Sequence, residues 1–82
     1  MLKVHILKIE DIYVPTDRRK ELDAAKVDLA AEEIIEEAEE RPISVRKGKD
    51  RYVLLRGVNR LEAHKALGEE TIKSYIMNAI QR

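Results

Sequence analysis

The sequence predicts an α+β fold of order β-α-β-β-α-β, a mixed sheet carrying two helices, and three observations predict it. Apolar residues alternate over short stretches near the start, the middle and the end of the chain, the two-residue period of strands. Between these stretches apolar residues recur three and four positions apart, the spacing of a helix face. The 82 residues, 44% apolar and 39% charged, suffice for one small core, so residues 1–82 read as a single domain.

Residues 3–7 (KVHIL) form the expected first strand, with Val4 and Ile6 on one face. His5, on the other face, reads as a surface residue rather than a ligand. Ile9-Glu10-Asp11-Ile12 is a tight turn, and Tyr13-Val14-Pro15 an extended exit, because a proline disfavours helix at the residue before it. Residues 16–20 (TDRRK) then read as a polar loop, either solvated or facing a phosphate. The first helix opens on Asp23 as its N-cap, carries Val27, Ala30, Ala31, Ile34, Ile35 and Ala38 at helical spacing, and stops at Arg41-Pro42. Residues 42–46 (PISVR) are the second strand, with Ile43 and Val45 inward. Lys47-Gly48-Lys49-Asp50 turns the chain into the third strand, residues 51–55. A second helix begins after Gly57 and ends at Gly68, and residues 71–76 (TIKSYI) alternate as the last strand.

Charge and composition narrow the function classes. The net charge is zero, but residues 21–40 hold nine acids against one base, and residues 41–60 seven bases against one acid. Nucleic-acid binders usually have an overall basic balance, which is missing here; what remains is one basic edge beside one acidic face. The three tyrosines, Tyr13, Tyr52 and Tyr75, give little for an autonomous single-strand binder to stack bases on. With no cysteine there is no disulfide framework, zinc–thiolate site or thiol chemistry. The crowded glutamates of the first helix read as a solvated face, because a metal site needs ligands converging from separate elements. No apolar run approaches the ~20 residues of a membrane span, and the start lacks a signal peptide's features, so a cytoplasmic location without a membrane partner is expected.

The chemistry concentrates at the turn Gly57-Val58-Asn59-Arg60. A strand entering a helix through a glycine leaves the helix's first N–H groups free at the positive end of its dipole, a generic anion site. Arg56, Asn59 and Arg60 surround that turn. Helical geometry points Arg60 between His64 and Leu67, toward the packed side and away from Glu62 and Lys65. A charge there needs a partner, which is either an internal carboxylate or a bound anion.

Order and spacing across residues 3 to 77 resemble the ParB/sulfiredoxin superfamily, in particular its ParB-like N-terminal domains. The matching residues are Leu22-Asp23, Lys26-Val27, Pro42-Ile43-Ser44-Val45-Arg46, Gly57-Val58-Asn59-Arg60 and Lys65-Ala66-Leu67-Gly68. The resemblance implies nucleotide phosphate at the Gly57 turn, where sulfiredoxins bind ATP, ParB partition proteins bind CTP, and a related archaeal group phosphorylates free serine. Sulfiredoxins carry Gly-Cys-His-Arg at this turn. Here Val58 stands in the place of the catalytic cysteine and Asn59 in that of the histidine, so sulfiredoxin chemistry is excluded. Lys26 matches the sulfiredoxin lysine that contacts ATP, whereas the two hydroxyl residues that assist it fall on Leu29 and Glu33. Partition proteins carry Gly-Glu-Arg-Arg, of which Gly57 and Arg60 remain. The serine-kinase group has an aspartate before the glycine, and Arg56 stands there.

These readings combine into a non-redox module binding a nucleotide, ATP or CTP, or a nucleic-acid phosphate through Lys26, Arg56, Gly57, Asn59 and Arg60. Arg18, Arg19 and His64 are the further candidates. The resemblance implies a role in DNA partition or transcription, with a protein partner supplying DNA recognition. The alternatives are a ParB-like enzyme, phosphotransferase or nuclease, and a protein-interaction module that has lost its ligand.

Overall fold

The computed structural model describes residues 3–36 and 41–77. In chain order the elements are β1 (Val4–Lys8), a 3-10 turn (Ile9–Asp11), β2 (Ile12–Tyr13), α1 (Thr16–Arg19), α2 (Ala24–Ile35), β3 (Ile43–Lys47), β4 (Tyr52–Arg56), α3 (Val58–Ala66) and β5 (Thr71–Met77). The strands make one mixed sheet in the order β1-β5-β3-β4-β2. β1 runs antiparallel to β5 and β3 antiparallel to β4, while β5 with β3 and β2 with β4 are parallel. The expected α+β fold is therefore present, with two small additions.

Both additions are too short to carry a periodic signal. β2 is two residues that pair with Tyr52 and Val53, Ile12 from the expected tight turn and Tyr13 from the expected extended exit. α1 replaces the expected polar loop: the Pro15 carbonyl accepts the N–H groups of Arg18 and Arg19 and closes a single turn. Its four residues, TDRR, offer no apolar face to read.

The core lies between the sheet and α3. Ile43 and Val45 point inward as expected, at 1% and 0% exposure, and meet Leu54, Val58, Leu61 and Ile72, with Ile9 and Ile12 closing one end. α2 packs chiefly on α3. Asp23 caps α2 by accepting the Ala25 N–H at 2.9 Å, which satisfies one of the unpaired donors of the first turn. The helix ends at Ile35 with Glu36 as its C-cap, short of the expected stop at Arg41-Pro42; Ala38 and the glutamates at 37, 39 and 40 lie outside the described residues. Val4 and Ile6 share one face of β1, but they are 45% and 68% exposed, because the register pairs them with Tyr75 and Lys73, on the face opposite the buried Ile72 and Ser74; Leu7, opposite Ile72, is the β1 residue that packs on the core. His5 is exposed as well.

Two details place the end of β4. Asp50 takes a positive φ of 64° in the hairpin, where Gly48 donates to the Arg51 carbonyl at 2.7 Å. The register then shifts: Val45 pairs with Leu54 but Ser44 with Arg56, so Leu55 is the extra residue of a bulge. Bulges re-aim side chains, and this one lies directly before Gly57. Among the described residues no helix is long and apolar enough to cross a membrane.

Candidate functional site

Gly57 is the hinge between β4 and α3, and two independent constraints require a glycine there. Its φ of 104° lies in the region that side chains avoid. A Cβ on it would also sit 2.7 Å from Ile43 Cγ2 and 3.3 Å from Ile43 Cα. The close approach draws the start of β3 against the N-terminus of α3. Leu61 donates back to the Gly57 carbonyl at 2.9 Å, the first bond of the helix, so the N–H groups of Val58, Asn59 and Arg60 precede the intrahelical ladder.

Over this turn lies an open cleft of about 390 Å³ between α2, the start of β3 and the start of α3. Leu29, Ala30, Pro42, Ile43 and Gly57 give it an apolar floor. Among the described residues, Lys26, Arg41, Arg56 and Arg60 bring four cations against one carboxylate, Glu33. Arg56, the last residue of β4 and the partner of Ser44 beyond the bulge, lines the cleft together with residues of both helices. Lys26 and Glu33 come from one face of α2, with Leu29 and Ala30 between them at helical spacing.

Arg60 is the best-defined of the four cations. Its side chain is 12% exposed, and its Nη2 lies 2.6 Å from Oε1 of Glu33, whose side chain is 50% exposed. Of the two partners open to Arg60 from sequence, the internal carboxylate is thus present, and Glu33 itself lines the cleft.

Asn59 lines the same cleft, but its amide is engaged elsewhere. Oδ1 accepts the Asp23 N–H at 2.8 Å, and Nδ2 donates to the Glu21 carbonyl at 3.3 Å. The side chain expected to meet a phosphate instead fastens the start of α2 to the start of α3, which leaves the Asn59 backbone N–H as its contribution to the turn. That tie holds Lys26, three residues into α2, beside the turn.

Arg18, Arg19 and His64 do not join the cleft. Arg18 donates to the Leu55 carbonyl at 3.3 Å and pairs with Glu21 at 3.1 Å. Arg19 donates to the Val14 carbonyl at 3.3 Å and lines a smaller hollow with Leu22, Val58 and Glu62. The turn of α1 directs both arginines to nearby backbone. His64 is 4% exposed on the buried side of α3, one turn beyond Arg60. Sequence reasoning missed Arg41, which it used only as a helix stop. The signal was its place two residues before Ile43, the residue that packs against Gly57.

The sequence matches the family model described as the ParB N-terminal domain over residues 1–82. Comparison with curated proteins gave no match. Among solved structures, a sulfiredoxin from Arabidopsis thaliana is similar at 30% identity and a TM-score of 0.81, over 94% of this chain and 86% of that one. The chromosome-partitioning protein ParB from Caulobacter crescentus, solved with CTP-gamma-S, aligns at 19% identity and a TM-score of 0.78, over 96% of this chain and 46% of that one. A free serine kinase, solved in complex with AMP, aligns at 16% identity and a TM-score of 0.75, over 93% of this chain and 31% of that one. The last two likenesses concern the fold, and this chain spans less than half of either protein.

Proposed function

Because the chain belongs to the ParB N-terminal domain family, we propose that it is a non-redox binding module that takes the phosphates of a nucleotide or nucleic acid over Gly57. The observation that carries this reading is the cleft: four cations, Lys26, Arg41, Arg56 and Arg60, meet beside the N-terminus of α3, with one carboxylate among the described lining residues. Free N–H groups, the helix dipole and converging cations act together on an anion. The relatives solved with CTP-gamma-S and with AMP support a nucleotide as the ligand class, ATP or CTP first. Membership of the family supports a role in DNA partition or transcription, with a protein partner in the recognition of DNA.

A binding module is favoured over a phosphotransferase by the residue before Gly57. Arg56 stands there, and an arginine does not accept the proton of an attacking hydroxyl. The test is a titration of ATP, CTP, GTP and a short DNA duplex, read by thermal shift. A ligand that binds only the folded state raises stability by about 2.7 kcal/mol at a hundred times its Kd. The expected result is a saturable shift with at least one nucleotide, reduced in Arg60→Ala. Absence of any shift at millimolar concentration with all four ligands would overturn the reading and leave the interaction module.

A further inference from the structure

A carboxylate in a cleft of cations does not help to bind an anion. Glu33 nonetheless holds the most buried of those cations at 2.6 Å, from α2. Its own half-exposed side chain lines the space a ligand would enter. An incoming phosphate therefore meets Arg60 already satisfied, with a negative charge beside it. Either it displaces Glu33, losing the ion pair, or it binds next to a like charge. The other three cations, Lys26, Arg41 and Arg56, come from three separate segments and have exposed side chains. No salt bridge to a described residue occupies them.

The geometry points to Glu33 as an internal occupant that sets a charge threshold on the cleft: it turns away monophosphate and yields to an oligophosphate. This rests on the phosphate-binding reading above and adds the ligand class to it. A single phosphate gains Arg60 only at the expense of the Glu33 contact, so little net attraction remains. A chain of two or three phosphates reaches Lys26, Arg41 or Arg56 as well, and those contacts offset the exchange. Glu33 is then a specificity-determining residue. With glutamine in its place, the neutral amide keeps the size and a hydrogen-bond acceptor for Arg60 while removing the competing charge.

The test uses inorganic probes, so that no base or ribose contributes. Orthophosphate, pyrophosphate and tripolyphosphate are titrated by calorimetry at one ionic strength into the unmodified chain, into Glu33→Gln and into Glu32→Gln. Glu32 is exposed on the same helix and does not line the cleft, so its variant makes the same change of net charge elsewhere. Far-ultraviolet circular dichroism and a melting curve establish that each variant is folded. The unmodified chain is expected to prefer tripolyphosphate to orthophosphate strongly. In Glu33→Gln the affinity for orthophosphate is expected to rise on the order of tenfold, the scale of one charge-assisted contact, and that for tripolyphosphate about twofold. Glu32→Gln is expected to leave the preference as it was.

An equal rise for all three probes in Glu33→Gln would overturn the threshold, because Glu33 would then act only through the general field. A fall in affinity would overturn it in the opposite sense, making Glu33 a support that aims Arg60 at the ligand. Both outcomes leave phosphate binding itself standing. If none of the probes binds either the unmodified chain or Glu33→Gln, the cleft does not bind phosphate and the threshold falls with it.

Discussion

Replacing Gly57 with alanine tests the turn on which the cleft depends. The added Cβ would lie 2.7 Å from Ile43 Cγ2, 3.1 Å from Ile43 Cβ and 3.3 Å from Ile43 Cα, and the φ of 104° would be kept by a residue that avoids it. The left-handed backbone costs about 1–2 kcal/mol. Crowding a filled core adds about 1–3 kcal/mol, and Ile43, 1% exposed and pinned between β5 and the core, has little room to yield. The sum, about 2–5 kcal/mol, is a large part of the roughly 4–12 kcal/mol expected for a domain of this size. Gly68 supplies the control. Its φ is 80°, but a Cβ there meets nothing within 4 Å, so Gly68→Ala carries only the backbone term. Urea denaturation of both variants should give a Gly57→Ala loss at least about 1 kcal/mol larger, with unchanged m-values. In an Ile43→Ala background, which removes the Cγ2 but keeps the Cβ at 3.1 Å, the gap between the two glycine variants should shrink, although Ile43→Ala is itself destabilising. Equal costs in the unmodified background would refute the close approach as the reason for a glycine at this position.

Asn59→Ala should cost about 1–2 kcal/mol through its two lost backbone contacts and speed amide exchange at Asp23, whose N–H it accepts at 2.8 Å. Exchange unchanged at that amide would mean that α2 is held by packing alone. Asp23→Ala, which removes the cap on the Ala25 N–H, should cost about 1 kcal/mol in urea melts, and a neutral result would deny the cap any role. Arg60→Ala should weaken a nucleotide by about 1.5–3 kcal/mol in calorimetry, whereas Lys47→Ala/Lys49→Ala in the exposed hairpin should change it little. For duplex DNA the hairpin variant should matter and affinity should fall steeply with salt, so the same pair of variants at two salt concentrations distinguishes the ligand classes.

The parts of the fold that were legible in the sequence are those with a period or a punctuating residue. Ile43 and Val45 alternate and are inward, Asp23 caps the helix it precedes, and Gly57 and Gly68 bound α3. The parts that were not legible depend on distance in space. β2 and the turn of α1 are too short for periodicity. The exposure of Val4 and Ile6 follows from their register against Tyr75 and Lys73, on the face away from the core, which needs the strand pairing rather than the alternation. At the cleft, Lys26, Arg56, Gly57 and Arg60 were indicated by their spacing and by family resemblance, and all four line it. Arg18 and Arg19 were indicated by their charge and by a loop that the β-α-β-β-α-β order can bring near α3, and instead meet the backbone of Leu55 and Val14. Glu33 was visible only as a departure from a family pattern, and nothing in the chain's spacing pairs it with Arg60 across 27 positions.

The extra residue in β4 makes the cleft sensitive to counting rather than to chemistry. Leu54 pairs with the inward Val45 and Arg56 with Ser44, so β4 advances two residues where β3 advances one. Leu55 absorbs that difference of phase. Its identity matters little, since it is exposed and outside the core cluster, so many substitutions there should pass unnoticed. Deleting it would leave Leu54 on Val45 and Arg56 on Ser44 in a regular ladder, but would remove the local bend that the extra residue gives β4 directly before Gly57. The cleft would lose its shape, because α3 would leave the sheet in another direction, without any of its lining residues being replaced. A comparison of related chains by residue type alone would miss such a loss, because it is a change in the length of a strand by one.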